Sequence, residues 1–199
     1  MGFRLFVDPR NKSGLDIAEM QRPTEMDDGM TYKKFAAMIA TSTAIMFGLM
    51  YLNSYAVSHI WFSQTRMWMA GLMGAVMALI MIAFMWGMYR NRRANWAIVG
   101  VSMIAAVGAL WLVRSQQTVD DVSWMKAMIP HHSIAILTSE RAHIRDPEVR
   151  KLADGIIEAQ EREIAEMKNM IARLETNPLP AGAPDLAPAS LAAEASSAR

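Results

Sequence analysis

Between positions 32 and 117 the chain contains no Asp or Glu, and its only charges there are Lys33, Lys34, Arg66, Arg90, Arg92, Arg93 and Arg114. Three uncharged runs lie inside this stretch, at 35–56, 67–89 and 94–113. Each is about 20 residues or longer, enough at about 1.5 Å per residue to cross roughly 30 Å of hydrocarbon. A helix satisfies its own backbone hydrogen bonds in lipid, so the stretch predicts three membrane helices. Trp61, Trp68, Trp86, Tyr89, Trp96 and Trp111 fall near their ends, where amphipathic rings favour the interface. The densest basic turn holds Arg90, Arg92 and Arg93, which belongs in the cytoplasm together with Lys33 and Lys34. In a bacterial inner membrane this puts the amino terminus in the cytoplasm and the carboxyl-terminal part in the periplasm. Arg66 is a single dissenting charge.

The flanks differ. A balance of 20 Lys+Arg against 19 Asp+Glu hides this zoning, and the part beyond the membrane runs is not basic enough to suggest nucleic-acid binding. Cysteine is absent, so neither a disulfide framework nor a thiolate site is available. Residues 1–31 read as a leader with few periodic apolar positions and no signal-peptide pattern. Residues 32–117 form the membrane domain, 118–176 a helical domain, and 177–199 an Ala- and Pro-rich flexible tail. Thr118 with Asp121 resembles a capping box opening the first soluble helix. Asp146, Pro147 and Glu148 combine a cap, a preset φ and a carboxylate at the positive helix end. That second helix fades by Thr176. Pro130 either kinks the first helix or marks a new first turn.

At roughly 100° per residue, Met125, Met128, His132, Ile136 and His143 share an arc of about 80° on the first soluble helix. Val149, Leu152, Ile156, Gln160, Glu163, Met167, Met170 and Leu174 share a similar arc on the second. Gln160 and Glu163 thus interrupt an apolar stripe, where polar groups are costly unless paired or bound to something. Two such helices cannot fully enclose a core, whereas four can. A homodimer whose two hairpins make one bundle is therefore expected.

The run Met125, Met128, Ile129, Pro130, His131, His132, Ala135 and Ile136, followed by Asp146, Pro147, Leu152, Ala153, Ile156, Gln160, Glu163, Ile164 and Met167, resembles the domain of unknown function numbered 305. The signature is Met-x-x-Met-Ile-Pro-His-His with a downstream Gln-x-x-Glu-Ile-x-x-Met, and the likeness spans about 120–174. Members with three membrane helices carry a similar Met-rich stretch ahead of it. The resemblance implies a ferritin-like, extracytoplasmic helical domain associated with copper or silver, and no established enzyme activity. Together with the pattern above, the expected fold is all-α: three transmembrane helices, then a helical hairpin completed by oligomerisation.

Donor chemistry agrees with that implication. Cu(I) and Ag(I) favour thioethers and imidazole, whereas zinc sites draw on Cys, His and carboxylates. The expected ligands are His132, Met125, Met128 and Met167, with His131 and Glu163 as further candidates. Gln160 and His143 are placed as groups that support or orient them. Residue types alone also fit a plainer account, in which the methionines are core filler and His132 is a buried histidine bonded to Glu163 or Gln160. His131 projects about 100° from His132 and ranks below it. His143 lies roughly 16 Å along the axis from His132, too far to share an ion within one chain.

His59, Met46 and Met50 form a second candidate soft-metal site near the outer end of the first membrane helix, although His59 also suits a polar interface. Met69, Met73, Met77, Met81 and Met85 recur every four residues, but such steps wind around the helix and cannot line one path. Gly71, Gly74, Ala75 and Ala78 read as a small-residue packing face. Glu140 and His143 supply one Glu-x-x-His spacing without the second that a di-iron site needs, so an enzyme is not expected. The rival to copper binding is a metal-free, membrane-anchored interaction module.

Overall fold

The computed structural model describes residues 28–180, 182–186 and 189, and among them it contains five α-helices and one 3₁₀ turn, with no strand. The helices are α1 (Asp28–Leu49), α2 (Gln64–Phe84), α3 (Arg92–Ser115), α4 (Asp121–Arg141) and α5 (Pro147–Thr176), and the 3₁₀ turn spans Val57–His59. The chain divides into two compact units, Met1–Leu49 with Trp68–Ser115, and Met50–Met67 with Gln116–Arg199. The expected leader falls outside the described residues except at its end, where α1 already begins at Asp28. Much of the expected flexible tail also lies outside them.

In the first unit, α2 and α3 are each long and apolar enough to cross a membrane. The first expected span is corrected: α1 stops at Leu49 instead of Ala56, so its uncharged part from Phe35 is only about 22 Å long at 1.5 Å per residue. The second is trimmed as well. It ends at Phe84, and Met85–Met88 form a turn closed by Met88 N–H on the Met85 carbonyl at 3.0 Å. Tyr89, released from the helix, is buried, stacks on Tyr32 at 4.7 Å and meets Phe35 edge-on at 5.8 Å. Beside it the fully buried Asn95 accepts from the Tyr32 hydroxyl at 2.6 Å and donates to the Tyr89 carbonyl at 3.2 Å. Both ends of the amide are satisfied, which is what lets it sit in an apolar setting. Gly74, Ala75 and Ala78 are buried as the small-residue pattern predicts, and a Cβ at Gly74 would strike the Thr43 side chain of α1. Gly71 is exposed and takes no part.

In the second unit, α4 and α5 form an antiparallel hairpin, as the pairs Lys126–Glu175 and His132–Glu163 require. The cap of α4 is Asp120 rather than Thr118; its carboxylate accepts from Ser123 N–H at 2.7 Å, and these bonds hold its pKa below the usual carboxylate range. Asp146 caps α5 as expected, accepting from Glu148 N–H at 2.9 Å and Val149 N–H at 3.0 Å. Pro130 sits buried inside α4, which continues past it. The hairpin core is Met125, Ile129, Ile136, Ile164, Met167 and Ile171, with Met128, Ile157 and Leu174 packed against it.

The core face of α5 is therefore rotated by about 60° from the expected arc, centring on Ala153, Ile164 and Ile171. Val149, Leu152 and Met170, expected in the stripe, are exposed. His143 is corrected too. With α4 ending at Arg141 and Ala142 turning to extended backbone (φ −66, ψ 139), His143 is an exposed linker residue.

The hairpin gains a third element that the sequence pattern did not reveal. Residues 50–63, between α1 and α2, close into a compact Ω-loop. Its ends are tied where Arg66 donates to the Met50 carbonyl at 2.7 Å and lies over the Tyr51 ring at 4.6 Å. Ser63 N–H donates to the Tyr51 hydroxyl at 2.9 Å, and Ser63 Oγ accepts from Arg66 N–H at 3.2 Å to cap α2. The Met50 carbonyl is thus taken up by a side chain where α1 stops, as a helix end requires. The dissenting Arg66 is a clamp. Inside the loop, Trp61 packs against the hairpin core and Ser133 Oγ accepts from Tyr55 N–H at 2.7 Å.

Candidate metal centre

Antiparallel pairing sets His132 against Glu163, so the layer one turn earlier on α4 and one turn later on α5 holds Met128 and Met167. Met125 and Met167 are buried in the same cluster, and Met128 packs against it half-buried. His132 is half-buried; its Nδ1 lies 3.1 Å from Glu163 Oε2. Although the contact is close, the carboxylate lies off the ring N–H axis, and the enclosed Nδ1 has no aligned hydrogen-bond partner. Gln160 Nε2 approaches the same Oε2 at 3.5 Å, at the outer limit of a hydrogen bond. Burial pushes the His132 pKa down, with Glu163 opposing and His131 assisting. The imidazole is therefore neutral at pH 7 and keeps a lone pair.

Of the expected ligands, His132, Met125, Met128, Met167, Glu163 and Gln160 are brought together at the α4–α5 contact. His131 is not. It is exposed, its ring centroid 5.9 Å from that of His132 and tilted by 59°. Among the described residues no group of three or more His, Cys, Asp and Glu converges to hold a metal; the thioethers of Met125, Met167 and Met128 belong to the hairpin core cluster, and His132 meets Glu163 at its edge.

The second candidate site is divided. His59 belongs to the hairpin unit, where its Nδ1 lies 3.0 Å from Ser133 Oγ and burial, helped by Lys168, lowers its pKa against the pull of Glu161. Met50 is engaged through its backbone by Arg66. Met46 is a half-buried residue of α1 in the other unit. Glu140, read beside His143 in the sequence, instead lies near the Tyr55 phenol, whose pKa its carboxylate raises. A cavity of about 350 Å³ lies between loop and hairpin, bounded by Tyr55, His59, Ile136, Glu161, Ile164 and Lys168. Sequence reasoning missed Ser133, which is completely buried; the signal available for it was a polar residue four positions after Ile129 and three before Ile136.

A capped helical hairpin with a Met-Ile-Pro-His-His turn facing a Gln-x-x-Glu-Ile-x-x-Met turn defines a class of small all-α domains. Residues 111–196 match the domain of unknown function (DUF305), and the chain belongs to that family. It is similar to an uncharacterized protein, L153, of Acanthamoeba polyphaga mimivirus, being 31% identical over 102 residues that cover 48% of this chain and 67% of the viral protein. No solved structure matches the chain.

Proposed function

We propose that this chain is a membrane-anchored protein whose helical hairpin binds Cu(I) or Ag(I) through thioethers and the His132 imidazole, serving copper tolerance, storage or delivery. The observation that carries this reading is the half-buried His132, its enclosed Nδ1 without an aligned partner, in the α4–α5 contact that also holds Met125, Met128 and Met167. Such donors suit a soft monovalent ion. A small turn of Glu163 aligns its carboxylate with Nδ1–H, which leaves Nε2 to the metal and makes Glu163, with Gln160, the group that orients the ring.

Anchoring rests on α2 and α3. Only 28% and 11% of their most apolar windows are buried within the protein, whereas a core helix of a water-soluble fold is buried over most of its length. Such sides suit lipid, and α1 contributes as a shorter companion or a third span. With α1 as a third span, the basic turn between α2 and α3 supports an orientation with the amino terminus inside and the hairpin outside a bacterial inner membrane.

The hairpin completes itself by pairing with a second copy. The edge that carries Met128, His132, Gln160 and Glu163 also leaves Leu152 65% and Val149 49% exposed, and two hairpins meeting there make a four-helix bundle.

The test is anaerobic titration of the purified full chain with Cu(I) against a competing chelator, repeated with Ag(I) and Zn(II). Tight binding of both monovalent ions, weakened at least about tenfold, or 1.4 kcal/mol, by His132→Ala with Met128→Leu, is expected. Unchanged affinity in that variant rules out the site. If no ion competes, yet His132→Ala still weakens self-association, the polar cluster serves instead to fix helix register in a metal-free interaction module.

A further inference from the structure

The Ω-loop has two sides of opposite character. Its inward side is tied down: Trp61 packs on the hairpin core and bonds Ser58 O through its indole N–H at 3.1 Å, His59 meets Ser133, and Tyr51 closes the loop on Ser63. Its outward side carries Leu52, Val57 and Ile60, which are 77%, 84% and 49% exposed. With Phe62, 58% exposed, they give a tightly closed loop a largely apolar water-facing surface, interrupted by the exposed Asn53 and Ser58. What lies at its ends identifies the occupant. The chain enters the loop directly from the apolar end of α1 and leaves it at Gln64, the first residue of a helix apolar enough to cross a membrane. A loop so short and so firmly tied cannot leave the level at which that helix meets water. Neither Asp nor Glu occurs anywhere in it, so nothing opposes approach to an anionic lipid surface.

We infer that the outward side of loop 50–63 is a membrane-interface anchor: Leu52, Val57 and Ile60 enter the headgroup and upper acyl region of the bilayer, while Trp61 and His59 fasten the hairpin to the same loop. This inference rests on α2 being a membrane span. The partner is a lipid bilayer and not a protein, because the apolar residues of the loop are continuous in sequence with lipid-compatible helices on both sides.

The absence of cysteine makes the test direct. Single-Cys variants Leu52→Cys and Val57→Cys, and the control Glu158→Cys on the exposed side of α5, are labelled with an NBD fluorophore in the full chain. They are then reconstituted in nanodiscs of phosphatidylcholine and phosphatidylglycerol. Both loop probes are expected to emit at shorter wavelength than the control. Lipid spin-labelled near the headgroup should quench them severalfold more strongly, and aqueous iodide severalfold less. Loop probes as open to iodide as the control overturn the inference, and probes shielded from both quenchers overturn it in favour of a protein partner. A chain that fails to co-float with the lipid overturns the membrane reading along with it, whereas co-floating with the loop in water overturns this inference alone.

Discussion

On one side of the α4–α5 hairpin a loop from elsewhere in the chain covers Ser133 and engages its hydroxyl; on the other, about 100° around α4, His132 and Met128 stay half open beside Glu163, and Leu152 is exposed about three turns away on α5. Two helices bury one seam but leave two edges. This chain closes one edge with its own residues and leaves the other partly exposed. Burial is thus complete where the loop lies and partial where Met128 and the His132 imidazole lie, while Met125 and Met167 belong to the core beneath both edges.

The largest effect expected from this contrast is in the shared core. Ile136→Ala, at a residue 1% exposed, should cost about 2–5 kcal/mol in denaturant unfolding, whereas Leu152→Ala should cost less than about 0.5 kcal/mol at low protein concentration. If the Leu152 variant is equally harmful, and more so as concentration rises, then the open edge is already covered by a second copy. Next in size is the closed edge. Ser133→Val removes the acceptor for Tyr55 N–H and the partner of His59, and should cost about 1–3 kcal/mol while exposing the loop to limited proteolysis. Cu(I) affinity should be unchanged, and a parallel loss of affinity would show that the two edges are coupled.

A smaller effect comes from pH. Burial lowers the pKa of both His59 and His132 below the usual value of 6.5, so the unfolded chain takes up protons before the folded one does. Their contribution to stability is complete above that value and is lost as pH falls through it, levelling off once the folded-state groups protonate. Replacing His59 by Gln should flatten part of this slope in denaturation midpoints measured between about pH 7.5 and 5. A slope that survives both this change and His132→Gln would assign it to carboxylates. Least affected should be Lys126→Ala. It breaks a 2.7 Å pair with Glu175 and a contact 5.8 Å above Trp61, yet Glu175 is 54% exposed and such pairs contribute about 0–1 kcal/mol.

Periodicity and capping chemistry made the hairpin legible in the sequence. Asp146–Pro147 marked the start of α5, Thr176 its end, and the Met/His and Gln/Glu/Met clusters fell on facing sides. The rotation of the α5 face was not legible, because its large apolar residues pull a projection toward Leu152 and Met170 while the smaller Ala153 decides the contact. Nor was the loop. Its pairings join positions separated by more than 70 residues, Tyr55 and His59 to Ser133, and no local pattern encodes them. Arg66 looked like an exception to the charge rule for the same reason: its partners, Met50 and Tyr51, lie beyond a turn that hydropathy alone had merged into the first apolar run.

Pro130 carries a consequence for how the site moves. It lacks an amide hydrogen, so the Lys126 carbonyl receives no bond from the residue one turn ahead, and the ladder of α4 is interrupted just before the two histidines. The helix behaves mechanically as two short rods on one axis, with Met125 and Met128 on the first and His132 on the second. A small change of angle where the two rods meet would move His132 relative to Met128 while leaving the buried Ile129 and Ile136 on either side in their own segments.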